Sequence, residues 1–549
     1  MNRKENIQQL KTETFDICVI GGGASGAGAA LEAATRGLKV ALIERKDFSA
    51  ETSSRSTKLI HGGVRYLEQA FKKLDFGQLK QVKHGLEERK YVLQNAPHLA
   101  QPLALITPVF SAFEAIYFSA GLLLYGFFAK NDSLPKAQWL NKKKTFERIP
   151  TLSKTVHSSV MYYDGQLDDA RYCLALAHSA DEAGAATLNH AAITSFTKDQ
   201  SGKILSATVK SQLPEENGLE IEVKAKVFVN CTGPFSDAVR IMANSEEKAR
   251  ISPSKGVHIL IPKEFLPGKE AMLIPKTKDG RVVFVIPFEN KVIIGTTDTP
   301  YYHLEKEPIL ESSEVDYLLE TMQPFFSKMP ERKDILSGFG GLRPLITAKG
   351  ANPNDTKSLL RDHAVEVDEK SGLVSLLGGK WTTYRLMGQD VIDAACKELN
   401  VEAESQTKNH FLVGGKNYNS DNFKNLMNTY ALPEDVAKHI SEKYGDRAEK
   451  VLALTHFDEN LTKRLHAEYP FIAAEVIYTV REEMAVSLRD FFARRTRFEL
   501  LSWKATKQSI PSVADLMAAE LGWTNEQKTT NINTYSGMIS HFQTQAGVQ

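Results

Sequence analysis

FDICVIGGGASGAGAALEAATRGLKVALIE, residues 15–44, is the stretch that decides the fold. Residues 15–20 are apolar and rich in β-branched side chains, which predicts a short buried strand. The strand runs directly into Gly21, Gly22, Gly23, Ala24, Ser25 and Gly26. An alanine-rich helix is predicted over 24–36, closed by Gly37 at its C-terminal cap, and 38–43 returns as a second buried strand. The unit is therefore βαβ, with Gly21, Gly23 and Gly26 as its G-x-G-x-x-G. Those glycines serve the tight turn, the close approach of backbone to a pyrophosphate, and the packing of helix on strand. A pyrophosphate would sit on the helix N-terminus, where free N–H groups and the dipole favour negative charge. Glu44, 18 residues past Gly26, is placed to accept hydrogen bonds from the adenosine ribose and would repel a 2′-phosphate.

The same fingerprint serves NAD and FAD. No second G-x-G-x-x-G follows a strand in the rest of the chain, so one dinucleotide is expected. Residues 52–66, TSSRSTKLIHGGVRY, carry hydroxyls and then a break at Gly62 and Gly63, which would let backbone lie against a flat ring. That pattern suits FAD.

The 549 residues predict three to four domain-sized units. With 68 Lys and Arg against 67 Asp and Glu, the net charge is +1, and no global field exists to hold nucleic acid. Cys18, Cys173, Cys231 and Cys396 form no CxxC or Cys/His cluster, so neither a metal site nor a disulfide framework is expected, and a reducing compartment is. Residues 1–13 lack the apolar core of a secretory signal, which points to the cytoplasm. Residues 110–128, FSAFEAIYFSAGLLLYGFF, carry Glu114 as their only charge and approach spanning length. Gly121, Gly126, Ser111 and Ser119 dilute that apolarity, so a buried helix is expected, with contact at a membrane surface as the alternative.

Further runs widen the picture: TSSRSTKLIHGGVRYLE (52–68), DDAR (168–171), NCTGPF (230–235), KGVHI (255–259), FVIPF (284–288), IIGTTDT (293–299), GLRPL (341–345), RDH (361–363), GGKWTTYR (378–385) and RRTR (494–497). Together with 21–44 they resemble the FAD-dependent, aerobic sn-glycerol-3-phosphate dehydrogenases, strongly over about 14–400 and more weakly beyond. The resemblance implies an α/β fold: an FAD-binding Rossmann-like domain of the glutathione-reductase and D-amino-acid-oxidase type, interleaved with an antiparallel-sheet substrate domain. It implies oxidation of sn-glycerol 3-phosphate with electrons passed to a quinone; an oxidase that returns them to O₂ is the alternative.

Residue by residue, the resemblance makes His258 the proton acceptor, with His61 as the runner-up although its place before Gly62 suggests flavin contact, and sets Arg343 beside the reacting hydroxyl. A phosphate dianion needs fixed cations, best supplied by guanidinium. Arg361 and Lys380 are the expected phosphate or substrate-oxygen ligands, with Arg65 and Tyr66 completing that pocket. Glu44, Thr52, Ser53, Ser54, Lys58, Leu59, Ile60, His61 and Gly62 would line FAD, with Ala192 by its backbone at the adenine. Thr232 and Gly233 would face the cofactor, and Gly379, Trp381, Thr382 and Thr383, with the Lys380 backbone between them, would hold the ring's pyrimidine edge at a helix start.

The FAD-dependent region is expected over 12–404, with nucleotide-binding parts at about 12–80, 160–240 and 340–404 and substrate-covering parts at about 81–159 and 241–339. Residues 405–549 are expected to form a helical C-terminal domain. There Val476, Val480, Met484, Leu488 and Phe492 suggest one helical stripe, and Pro511 suggests the opening of another helix. A homodimer and a location on the cytoplasmic face of a membrane are left open by the sequence.

Overall fold

The computed structural model describes residues 1–63, 76–128, 134–216, 218–277, 280–347 and 362–548. Two sheets organise it. The first has eight strands, and its parallel centre runs in spatial order Val374–Gly378, Glu220–Asn230, Thr14–Ile20, Val40–Ile43, Ala186–Leu188. Every side chain of Val40–Ile43 is buried, as is each of Ile17, Cys18, Val19 and Ile20. Such continuous apolar runs belong to a parallel sheet covered on both faces. Helices Ala24–Thr35, Asp169–Glu182 and Tyr384–Leu399 build one covering layer, in a core that includes Ala27, Ala30, Leu42, Leu176 and Val391. Helix Arg3–Thr12 and the antiparallel pair Ala191–Lys198 and Ile204–Ser211 contribute Leu10, Ala191 and Val209 to the other face. All four cysteines are buried and free.

The second sheet has ten strands. Its long ladders are antiparallel: Ala100–Val109 with Ser158–Leu167, and Ile251–Pro262 with Ser337–Ile346. The hairpin Val283–Phe288 and Lys291–Gly295 completes its middle. The chain crosses between sheets several times, so strand Ser158–Leu167 lies in the second sheet although the helix directly after it covers the first.

The C-terminal helices are not a separate ball. Val476, Phe491, Phe492, Phe498, Val513 and Ile539 share one core with Ile259, Val285 and Ile293 of the second sheet. A smaller cluster of Leu426, Val436, Ile440, Val451 and Tyr478 belongs to those helices alone. Two expectations change here. The stripe from Val476 to Phe492 is not one helix: Ala473–Glu483 ends at Met484 in the left-handed region, φ +50°, and a π-helical turn, Asp490–Arg495, follows. The break lets Glu483 and Asp490 reach buried arginines. Pro511 does not open a helix but lies inside Trp503–Leu521. Pro511 cannot donate to the turn before it, yet Ile510, Val513, Ala514 and Met517 are buried in the main core, and that packing holds the helix through the missing bond.

The 110–128 segment forms helix Ala112–Phe128, but it is not buried. Ala115, Leu122 and Tyr125 pack inward, whereas Phe113 is 79%, Ile116 71% and Leu123 54% exposed. Among the described residues no helix is long and apolar enough to cross a membrane.

Candidate active site

The glycine turn is as tight as its spacing requires. Gly21 adopts φ +106°, and a Cβ on Gly26 would stand 1.8 Å from the Gly21 carbonyl oxygen, so the helix can begin against the turn only without one. The helix has no side-chain cap of its own at Gly23; Ser53 Oγ accepts the Ala24 N–H at 2.8 Å instead. Glu44 accepts from the Gly22 N–H at 2.6 Å and the Lys46 N–H at 2.7 Å. Burial pushes its pKa up against those two bonds. Each carboxylate oxygen keeps a lone pair for a further donor. The Ala191 N–H donates to the Glu44 carbonyl at 2.8 Å, which brings Ala192 beside it. On the other side the Cys231 N–H donates to the Ile20 carbonyl at 2.8 Å, and Thr232 Oγ1 donates to Asn230 Oδ1 at 2.7 Å, so Thr232 and Gly233 stand over the Gly21 turn. These residues fit a dinucleotide: backbone N–H groups at a helix start, no Cβ in the way, and a buried acid at the end of the second strand.

The loop after Glu44 leads to the second sheet. Thr52 Oγ1 donates to the Leu342 carbonyl at 2.7 Å, next to Arg343. Ser54 is buried, and its carbonyl accepts from Lys58 Nζ at 2.9 Å. The Lys58 ammonium also donates to Asp169 Oδ2 at 2.7 Å, and burial lowers its pKa to about 8 against the pull of Asp169. The Lys58 side chain is therefore committed beneath the loop. Leu59 and Ile60 form a buried two-residue strand against Gln166 and Gly165. The His61 N–H donates to Thr382 Oγ1 at 3.3 Å, and Trp381 Nε1 donates to the Ser53 carbonyl at 2.8 Å. The two expected ring-side segments, 52–62 and 379–383, are thus bonded to one another. Gly379 takes φ +90°, and Thr383 is the N-cap of Tyr384–Leu399 by position, although its hydroxyl donates back to the Lys380 carbonyl at 3.2 Å. The His61 imidazole is held neutral: burial, then the Lys380 and Arg89 charges, lower it to about 4.

His258 and Arg343 lie on adjoining antiparallel strands. The His258 ring stacks on Phe339, centroids 4.6 Å apart and planes 10° from parallel, and its Nε2 shares a hydrogen bond with Thr57 Oγ1 at 3.0 Å. Its Nδ1 is buried without a hydrogen-bond partner among the described residues. Burial, then Lys58 and Arg343, hold its pKa well below the ordinary histidine value, so the ring is neutral at pH 7. Arg343 donates to the Thr297 carbonyl at 3.0 Å and Thr296 Oγ1 at 3.2 Å, and lies 3.4 Å from Asp298. Lys380 Nζ donates to Gln81 Oε1 at 3.4 Å. Arg65, Tyr66 and Arg361 lie outside the described residues. Beside Arg361 in sequence, His363 bonds Asp390 at 2.7 Å; burial opposes protonation, but the Asp362 and Asp390 carboxylates raise it to about 9.

Thr57, Asp298 and Phe339 were not singled out by the sequence reading, although Thr57 and Asp298 lie inside the quoted runs. A larger omission is the support beneath the loop over 47–58. Fully buried Asp47 accepts from Arg494 Nε at 2.5 Å and from Arg495 at 2.5 and 3.0 Å. Arg497 donates to Asp169 at 3.1 Å and to the Ser54 carbonyl at 2.9 Å, and Arg171 pairs with Glu483 at 2.6 Å. The DDAR and RRTR runs therefore meet in one buried ion network. Asp47, His190 and Asp490 converge within metal-ligand distance, yet both carboxylates are already taken by guanidinium.

Residues 16–385 match the family model described as FAD dependent oxidoreductase, and 405–528 match the C-terminal domain of alpha-glycerophosphate oxidase. The mitochondrial glycerol-3-phosphate dehydrogenase of Arabidopsis thaliana is 40% identical, over 99% of this chain and 89% of its own. That of Homo sapiens is 41% identical, over 95% of this chain and 73% of its own. The chain belongs to the FAD-dependent glycerol-3-phosphate dehydrogenase family. Its cofactor is FAD. The glycerol-3-phosphate dehydrogenase of Bacillus halodurans, solved with FAD, superposes with a TM-score of 0.79 at 29% identity, over 98% of this chain and 97% of that one. The L-alpha-glycerophosphate oxidase of Mycoplasma pneumoniae shares the fold, with a TM-score of 0.55 at 16% identity, over 73% of this chain and 99% of that one.

Proposed function

We propose that this enzyme oxidises sn-glycerol 3-phosphate to dihydroxyacetone phosphate and passes the two electrons to a quinone. The observation that carries the reading is a neutral, buried His258 and a fixed Arg343 on adjoining strands, beside a loop that continues the FAD cradle. Residues 58–62 and 379–383 would hold the isoalloxazine of FAD, which when bound would supply the acceptor for the hydride on C2 of the substrate. His258 takes the C2 hydroxyl proton: with Nε2–H donating to Thr57, the Nδ1 lone pair has no competing partner among the described residues. Arg343 holds the oxygen as negative charge develops on it, and its three contacts to 296–298 fix the guanidinium before substrate arrives. By resemblance to the family, Arg361 and Lys380 would be phosphate or substrate-oxygen ligands, with Arg65 and Tyr66 completing the anion pocket.

The quinone reading draws support from the dehydrogenase names of the relatives above. It also draws on the exposed apolar face of Ala112–Phe128, with half-exposed Trp139 and Lys142, Lys143 and Lys144 nearby in sequence. That face would lie on the cytoplasmic surface of a membrane, where quinones dissolve. A second copy of the chain is the competing occupant, and sedimentation with and without vesicles separates the two. Anaerobic mixing with glycerol 3-phosphate is expected to bleach the bound flavin and yield one dihydroxyacetone phosphate per flavin; an unbleached flavin refutes the substrate. Adding a quinone analogue should then restore the colour faster than O₂ does, and the reverse order with peroxide formation would make the enzyme an oxidase.

A further inference from the structure

The apolar-faced helix reaches the loop at Gly62 through Tyr125. Tyr125, on the inner face of Ala112–Phe128, is 2% exposed, and its hydroxyl oxygen accepts the Gly62 N–H at 2.7 Å. The same hydroxyl donates to Asp164 Oδ1 at 3.0 Å, and Asp164 is paired with Arg89, both 2% exposed. The loop at Gly62 is packed without slack: a Cβ there would stand 2.7 Å from Leu86 Cγ and 3.1 Å from the Tyr125 oxygen. Gly85 closes the other side, where a Cβ would lie 2.9 Å from Gly62 Cα. Arg89 also contributes to holding His61 neutral. A buried amide in a low-dielectric pocket gains little from a generic neighbour and loses much without a partner.

We propose that Tyr125 is a positioning residue for the flavin, through which the seating of helix Ala112–Phe128 fixes the backbone at His61 and Gly62. The inference rests on the placement of the isoalloxazine against 58–62 proposed above. Neither Tyr125 nor Asp164 touches substrate in that reading. Their role is to set where the loop's N–H groups and the Gly62 surface stand relative to the ring. Displacement of the helix would then be felt at the ring without any change in the substrate pocket.

The test uses holoenzyme. Tyr125→Phe removes one oxygen and leaves the ring in place. It is expected to shift the visible absorption band of bound flavin and to weaken FAD retention about tenfold, with KM for glycerol 3-phosphate unchanged. A purely structural tyrosine would lower the melting temperature and leave the spectrum of the folded fraction alone. Gly62→Ala is the companion variant. If Gly62→Ala alters the spectrum and Tyr125→Phe does not, the proposal falls and the flavin placement stands. If neither alters it, the placement itself is wrong and the proposal falls with it. Hydrogen exchange on the wild-type holoenzyme needs no variant: the Gly62 amide is expected among the slowly exchanging ones, and exchange at the solvent rate overturns the proposal.

Discussion

Asp47→Asn isolates the buried ion network from the chemistry. The carboxylate is fully buried and accepts bonds from Arg494, Arg495 and Asn189 Nδ2, the last at 2.9 Å. The amide keeps the volume and removes the charge, so two buried guanidiniums lose a shared counter-ion. Breaking a buried pair from one side costs about 3–5 kcal/mol. The lower end applies, because Arg494 retains Asp490 at 2.6 Å and Arg495 retains the Glu483 carbonyl at 2.6 Å. With an unfolding entropy of about 2 cal/mol/K per residue, about 3 kcal/mol lowers the melting temperature of a 549-residue cooperative unit by roughly 2–3 °C. Glu13→Gln is the control: its pair with Lys39 is exposed, and losing it costs at most about 1 kcal/mol. Calorimetry of both holoenzymes at pH 7 reads the difference. The pH dependence sharpens it. Burial alone would raise the Asp47 pKa, but Arg495 and Arg494 bring it below the ordinary carboxylate value. Its contribution is therefore complete above the unfolded pKa of about 4 and is lost as pH falls through the lower folded value, so wild type and variant should converge in acid. If Asp47→Asn melts with Glu13→Gln, the network does not support the fold.

The remaining predictions concern the site and its edges. Because His258 is held well below its ordinary pKa, kcat/KM should show no acidic limb near pH 6.5; His258→Asn should lower kcat by about 10²-fold or more with a smaller change in KM, and an unchanged kcat would give the proton to another group. Gly26→Ala, whose Cβ would strike the Gly21 carbonyl, should yield folded protein that binds FAD weakly or not at all, read by the flavin-to-protein absorbance ratio; full occupancy would remove the turn from the cofactor site. The His363 pKa, raised to about 9 by its carboxylate partners, contributes stability that is whole below about pH 6.5 and is lost as pH rises through 9; His363→Gln should therefore flatten the alkaline side of the stability curve, and identical curves would deny the linkage.

The βαβ unit was legible because its information is local: strand, glycine turn, helix and acid follow one another within thirty residues, and each has a periodicity or a steric reason of its own. The meeting of 52–62 with 379–383 was legible only through resemblance, since more than three hundred residues separate Thr382 from His61. Helix Ala112–Phe128 was misjudged because composition reports how apolar a segment is and not which of its sides finds a partner. Phe113 and Ile116 read the same as Leu122 in a window, yet only Leu122 is covered. The stripe from Val476 to Phe492 failed for the opposite reason. Its period is real, but buried charges claimed Glu483 and Asp490 and turned the chain. Long-range ion pairing leaves no signature in a local pattern, and the arginines of 494–497 could be noticed but not assigned.

Asp47 and Arg494 are separated by 447 residues of chain, and this separation sets an order of events in the cell. A ribosome adding about 5–20 residues per second needs roughly 20–90 s to travel from one to the other. Throughout that interval the nascent nucleotide-binding loop carries an anion whose permanent counter-ions have not yet been made. A polypeptide cut short before Arg494 would keep the glycine turn and the 52–62 and 379–383 segments, yet leave the buried Asp47 without the two guanidiniums that neutralise it.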